Sequence, residues 1–117
     1  MLSERQEQEV VIKRIEMQYP FLRNHTIYIM NEKKCSKFVG QKLNKQGRLP
    51  GASDLFIAYP TNNYYGLFIE MKSLVGKLSK VQSEFLFRMN EIGYCARACY
   101  GADEAIATIK SYLENKL

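Results

Sequence analysis

Two acids and a lysine stand out in this chain by where they fall in two apolar runs. Asp54 opens the run Asp54 to Tyr59 (D-L-F-I-A-Y), and Glu70-Met71-Lys72 closes the run Tyr64 to Lys72 (Y-Y-G-L-F-I-E-M-K). Both runs are rich in β-formers and read as strands. The intervening Pro60-Thr-Asn-Asn63 is turn chemistry, so 54–72 reads as a β-hairpin with a loop at its tip. In an antiparallel hairpin the start of one strand lies beside the end of the other, which brings Asp54 close to Glu70. Residues two apart on a strand share a face, so Glu70 and Lys72 point one way and Met71 points the other way, into the core. Neighbouring carboxylates repel unless a cation sits between them, and a hard divalent ion such as Mg²⁺ takes oxygen ligands of this kind. The tripeptide E-x-K is common on its own, and fits an exposed ion pair at the solvated end of a strand. Asp54 on the partner strand, with Gly47-Arg-Leu-Pro-Gly-Ala-Ser ahead of it, favours the metal-binding reading.

The elements that must hold this hairpin are also legible. Ser3 is a good N-cap, and residues 4–18 read as a helix with Gln8, Val11, Ile12, Ile15 and Tyr19 on one side. Tyr19-Pro20 stops it. Thr26 to Met30 is a short strand. Residues 33–48 hold few large apolar groups and read as a helix or loop. Leu78-Ser79 opens a helix that runs to about Glu91, with Val81, Phe85, Met89 and Ile92 as its stripe and Gly93 as its stop. Tyr94 to Tyr100 is a strand, and residues 102–115 form a last helix. The order α-β-(basic loop)-β-β-α-β-α defines one α/β domain over residues 1–117, a mixed sheet flanked by helices.

Composition narrows the function classes. The chain has 117 residues and a net charge of +5, with no apolar run long enough for a transmembrane helix and no secretory signal in its polar start. Cys35, Cys95 and Cys99 lack zinc-site spacing and are too few for a disulfide framework, which makes a reducing cytoplasm the default. The positive charge is local. Lys33, Lys34, Lys37, Lys42, Lys45 and Arg48 fall within 16 residues that contain no acid, while the rest of the chain holds 11 basic and 12 acidic residues. Such a patch suits a polyphosphate partner, or else is a solvated, lysine-rich loop. Lys77 and Lys80 flank the start of a helix and are further candidates for phosphate contact. His25, the lone histidine, reads as a surface or satisfied side chain, and Cys95 and Cys99 as core packing.

Three motifs in order carry a family resemblance. Pro50-Gly51-Ala52-Ser53-Asp54-Leu55-Phe56, Phe68-Ile69-Glu70-Met71-Lys72-Ser73 and Gly76-Lys77-Leu78-Ser79-Lys80-Val81-Gln82 together resemble the VRR-Nuc family, the virus-type replication-repair nucleases of the PD-(D/E)XK superfamily. The resemblance covers nearly the whole chain and implies a restriction-endonuclease-like fold. Ser53 stands where the superfamily has proline, a position that shapes the backbone and binds no metal. The resemblance implies that Asp54, Glu70 and the backbone carbonyl of Met71 bind Mg²⁺ or Mn²⁺, and that Lys72 orients or helps deprotonate the attacking water. It implies that Gln82 positions water or phosphate; by spacing alone Gln82 reads as an ordinary exposed glutamine.

The superfamily also often supplies an acid from its first helix. Among Glu4, Glu7 and Glu9, Glu4 lies within about 30° of the centre of the apolar face, while the others lie about 90° or more away. Glu4 is therefore the expected ligand, although a first-turn acid also suits the helix dipole. The activity implied is that of a metal-dependent DNA endonuclease like the Holliday-junction resolvases, working as a homodimer on branched or four-way DNA. A bacterial or phage-infected cytoplasm is the implied setting. The rival readings are a nuclease on other branched, nicked or single-stranded DNA, and a non-catalytic nucleic-acid-binding domain.

Overall fold

Ser3 caps the first helix, α1 (Glu4–Gln18), through a reciprocal pair of bonds: its Oγ accepts from Gln6 N–H, and Gln6 Oε1 accepts from Ser3 N–H. The structure, a computed structural model, describes residues 1–30 and 37–117. After α1 come α2 (Pro20–Arg23), β1 (Thr26–Tyr28), α3 (Lys37–Lys45), β2 (Leu55–Ile57), β3 (Leu67–Lys72), α4 (Lys80–Glu91), β4 (Cys95–Tyr100) and α5 (Ala102–Leu113). The one-turn α2 is an addition to the expected elements. Pro20 was expected only to stop α1, but its fixed φ also suits the first position of a new helical turn.

The four strands form one sheet in the order β1-β2-β3-β4. The first three are antiparallel neighbours, and β3 and β4 are parallel. A parallel pair needs a crossover, and α4 supplies it. On one face α4 packs Phe85 and Leu86 against Phe68 and Ala96. On the other, Val11 and Ile15 of α1 and Ala105 and Ile109 of α5 cover Leu67, Ile69, Met71, Cys95 and Cys99. The predicted mixed sheet flanked by helices is thus the fold. Because helices cover both faces of its inner part, β3 is buried on both sides, its charged end included.

The strands are shorter than their composition predicts. β1 stops at Tyr28, two residues before Met30. Tyr64 to Gly66 leave the hairpin early: Thr61 N–H donates to Tyr64 O and Tyr65 N–H donates to Gly93 O, so this stretch serves the loop before β4 and not β2. The expected basic segment contains α3, closed by a Schellman motif in which Gly47 N–H donates to Asn44 O and Arg48 N–H to Leu43 O. Gly47 takes the positive φ of +108° that this ending requires. Lys33 and Lys34 lie outside the described residues.

Candidate active site

The hairpin register builds the site. Leu55 pairs with Ile69 and Phe56 with Phe68, so one further step back along β2 sets Asp54 opposite Glu70. Asp54 is held on both sides. Its carbonyl accepts from Ile29 N–H across β1, and its Oδ2 accepts from Met71 N–H at 2.7 Å across β3. A carboxylate oxygen here replaces the main-chain acceptor that a longer β2 would have supplied. Alternation then puts Asp54, Glu70 and Lys72 on the α4 face of the sheet, in line with the stacked Phe56 and Phe68 rings, 4.4 Å apart. Met71 points the other way into the core, as expected.

Burial overturns the alternative of an exposed ion pair. Asp54 is 1% exposed, Glu70 0% and Lys72 4%. Lys72 Nζ lies 3.8 Å from Glu4 Oε2, and this ion pair ties the first turn of α1 to the end of β3. Three carboxylates and one ammonium leave two formal negative charges in this corner of the molecule. Charges withdrawn from water need compensation, and two carboxylates set opposite each other on neighbouring strand ends, Asp54 and Glu70, suit a divalent cation. A residue's N–H and C=O face the same neighbouring strand. Met71 N–H faces Asp54, so its carbonyl faces that side too. Lys72 O instead accepts from Gly101 N–H, on the β4 side. The donor set therefore fits a hard cation: two carboxylates and one carbonyl. Glu4, the acid expected from the first helix, thus meets the site at Lys72.

Two features of the site went unread in the sequence. Glu7, set aside on its helix angle, is buried, and its Oε1 accepts from Ala102 N–H at 3.2 Å. Gly101 precedes α5 and has no side chain to cap it, so α1 supplies the cap from 95 residues away. The other is the bonding of Gln82. Its Oε1 accepts from Ser79 N–H and its N–H donates to Ser79 Oγ, the same reciprocal cap as at Ser3. The signal was present as Ser79-x-x-Gln82. The cap buries Gln82 and fixes its amide, with the NH₂ end left over for another partner.

The segment before Asp54 is seated by close backbone packing. Gly51 has φ +85°, and a Cβ there would meet the Val81 carbonyl of α4 at 2.5 Å. Ser53 is fully buried, and its Oγ has no hydrogen-bond partner among the described residues. Of the basic candidates, Lys42, Lys45, Lys77 and Lys80 are exposed, and Lys37 begins α3. Arg48 is half-buried and donates from Nε to Asn44 Oδ1 at 2.8 Å. His25 is exposed, its Nδ1 3.1 Å from Phe21 O, and Cys95 and Cys99 are free and buried.

A mixed sheet between helices, with two acids and a lysine buried on the ends of adjacent strands, describes a nuclease-type domain. The chain belongs to the VRR-NUC domain family, whose sequence profile matches residues 2–103. A solved structure described as a VRR_NUC domain protein superposes with a TM-score of 0.84 at 26% identity, covering 97% of this chain and 89% of that one. Comparison with curated protein sequences finds no match. No helix among the described residues is long and apolar enough to cross a membrane.

Proposed function

We propose that the chain is a metal-dependent endodeoxyribonuclease that cuts branched or four-way DNA as a homodimer, in the manner of a Holliday-junction resolvase. The observation that carries this reading is the buried Asp54 opposite Glu70, with Lys72 on the same sheet face and Glu4 beside it. Asp54, Glu70 and the Met71 carbonyl would hold Mg²⁺ or Mn²⁺. Such an ion acidifies a bound water and polarises the scissile phosphate. The chain's own residues do the positioning. Lys72, held by Glu4, directs ammonium N–H donors at the phosphate, orients the attacking water and stabilises negative charge as it develops. Gln82 offers its remaining amide N–H groups to a phosphate or water oxygen. The products are a 5′-phosphate and a 3′-hydroxyl. Four-way DNA has two-fold symmetry and this domain has one site, so paired cuts call for a C2 dimer.

The test is cleavage of four-way, forked, nicked, duplex and single-stranded DNA with Mg²⁺, Mn²⁺, Ca²⁺ or chelator. Cutting with Mg²⁺ or Mn²⁺, and binding without turnover in Ca²⁺, is the expected result. Full activity in excess chelator would overturn the metal assignment. Binding without cutting in every metal would make this a non-catalytic DNA-binding domain.

A further inference from the structure

An aromatic ring stands on the cationic helix α3, where the proposed chemistry does not use it. Phe38 is 76% exposed. Gln41, Lys42 and Lys45 follow it at three, four and seven residues, so all four lie on one side of the helix. With Asn44 they line a surface hollow of about 450 Å³. No acidic residue occurs from Lys33 to Arg48, so nothing within the segment neutralises these lysines. The Schellman ending of α3 at Gly47 and Arg48 leads within three residues to Gly51, whose backbone is seated against Val81. Asp54 follows three residues later.

A single exposed phenylalanine is ordinary on a protein surface. One set on a face of lysines, beside a hollow, has a specific chemistry. Grooves that hold unpaired nucleic acid combine cations for the phosphates with aromatic rings on which bases stack. Paired bases in a duplex are already stacked on one another and offer no free face. We propose that α3 recognises unpaired nucleotides next to the cleavage site: Phe38 stacks on an exposed base, and Lys42 and Lys45 hold the flanking phosphates. This rests on the reading of the chain as a DNA nuclease. It narrows the substrate to DNA with at least one unstacked base, as at a fork, flap or open branch point.

The test measures binding without divalent ions, so that cleavage plays no part. The probes are a blunt duplex and the same duplex extended by a single-stranded arm with 2-aminopurine at its first unpaired position. The protein is expected to prefer the armed duplex and to quench the 2-aminopurine. Phe38→Ala should lose the quench and weaken arm binding by roughly fivefold or more, with the salt dependence unchanged. Phe38→Trp should restore both. Lys42→Gln with Lys45→Gln should instead flatten the slope of log K against log salt by roughly 1–2 units.

Phe38→Ala binding and quenching like the native protein would overturn the proposal. So would a Phe38→Ala change in the sedimentation of the protein alone, which would show the ring packing against a second copy. If the quench and arm preference hold but no DNA is ever cut, the nuclease reading falls, and only the stacking of Phe38 on unpaired bases stands. Cleavage with no Phe38 effect gives the reverse.

Discussion

Lys72 shows how burial changes what a sequence motif means. On a strand end, Glu70 and Lys72 look cheap to replace, because surface changes cost under about 0.5 kcal/mol. Both are in fact sealed from water, and Lys72 is the partner of Glu4. Lys72→Ala should therefore abolish cleavage and also lower stability by about 1–3 kcal/mol, since it empties a buried position and strips Glu4 of its ion pair. Glu70→Gln keeps the shape and removes one of two adjacent negative charges. It should abolish cleavage while the metal-free protein melts at or above the native temperature, and it should erase any stabilisation by Mg²⁺. Thermal melts with and without Mg²⁺, beside a cleavage assay, separate the two. A Glu70→Gln protein that cuts at the native rate would remove Glu70 from the mechanism. Asp54, Glu70 and Lys72 were legible because strand register and alternation are short-range rules. Glu4 was legible because it shares a helix face with Val11 and Ile15. Glu7 was not, because its partner lies 95 residues away and no angle on its own helix reveals it.

Among the elements, the loop into β2 is tightly constrained. Gly51 combines a positive φ with a carbonyl 2.5 Å from where a Cβ would stand, and that carbonyl belongs to the first turn of α4. Gly51→Ala should cost about 1–3 kcal/mol and should also lower cleavage, because the same loop sets Asp54. Gly47→Ala is the control, at a similar φ with nothing within 4 Å, and should show backbone strain alone. Denaturant midpoints for the two variants check this, and equal losses would mean that the close contact with α4 is immaterial. The helices were read well because caps and stops are local: Ser3, Ser79 and Gly93 all act where expected. The strands were overextended because composition does not say where backbone hydrogen bonds go. Tyr64 to Gly66 are β-rich in sequence, yet Tyr65 and Gly66 bond toward β4. Pro20 was read one way when its geometry permits two.

Over the whole molecule, the two-sided core contributes to how stability falls at alkaline pH. Burial pushes the Cys99 thiol from 9.0 up to about 11, against a smaller opposing effect of its contact with Thr108. Burial likewise pushes Tyr112 from 10.0 up to about 12. Each group ionises at lower pH in the unfolded chain than in the folded one. Their contribution is complete below about pH 9. It is lost as pH rises from 9 through 11 for Cys99 and from 10 through 12 for Tyr112, at up to about 1.4 kcal/mol per pH unit for each. Cys99→Ala should flatten the first part of this decline in denaturant titrations at pH 8 to 11; an unchanged slope would show that Cys99 is not its source. The mixed sheet flanked by helices was legible from the sequence of elements, whereas the order of its strands and the capping of α5 by α1 were not. That cap has a consequence for synthesis. Glu7 leaves the ribosome first and must wait for Ala102, a delay of roughly 5–20 s at ordinary translation rates. The helix that carries Glu7 also carries Glu4, the partner of Lys72. A nascent chain that already contains Asp54, Glu70 and Lys72 thus still lacks one of the bonds that seat the helix carrying Glu4, and the candidate site gains that support only when α5 emerges.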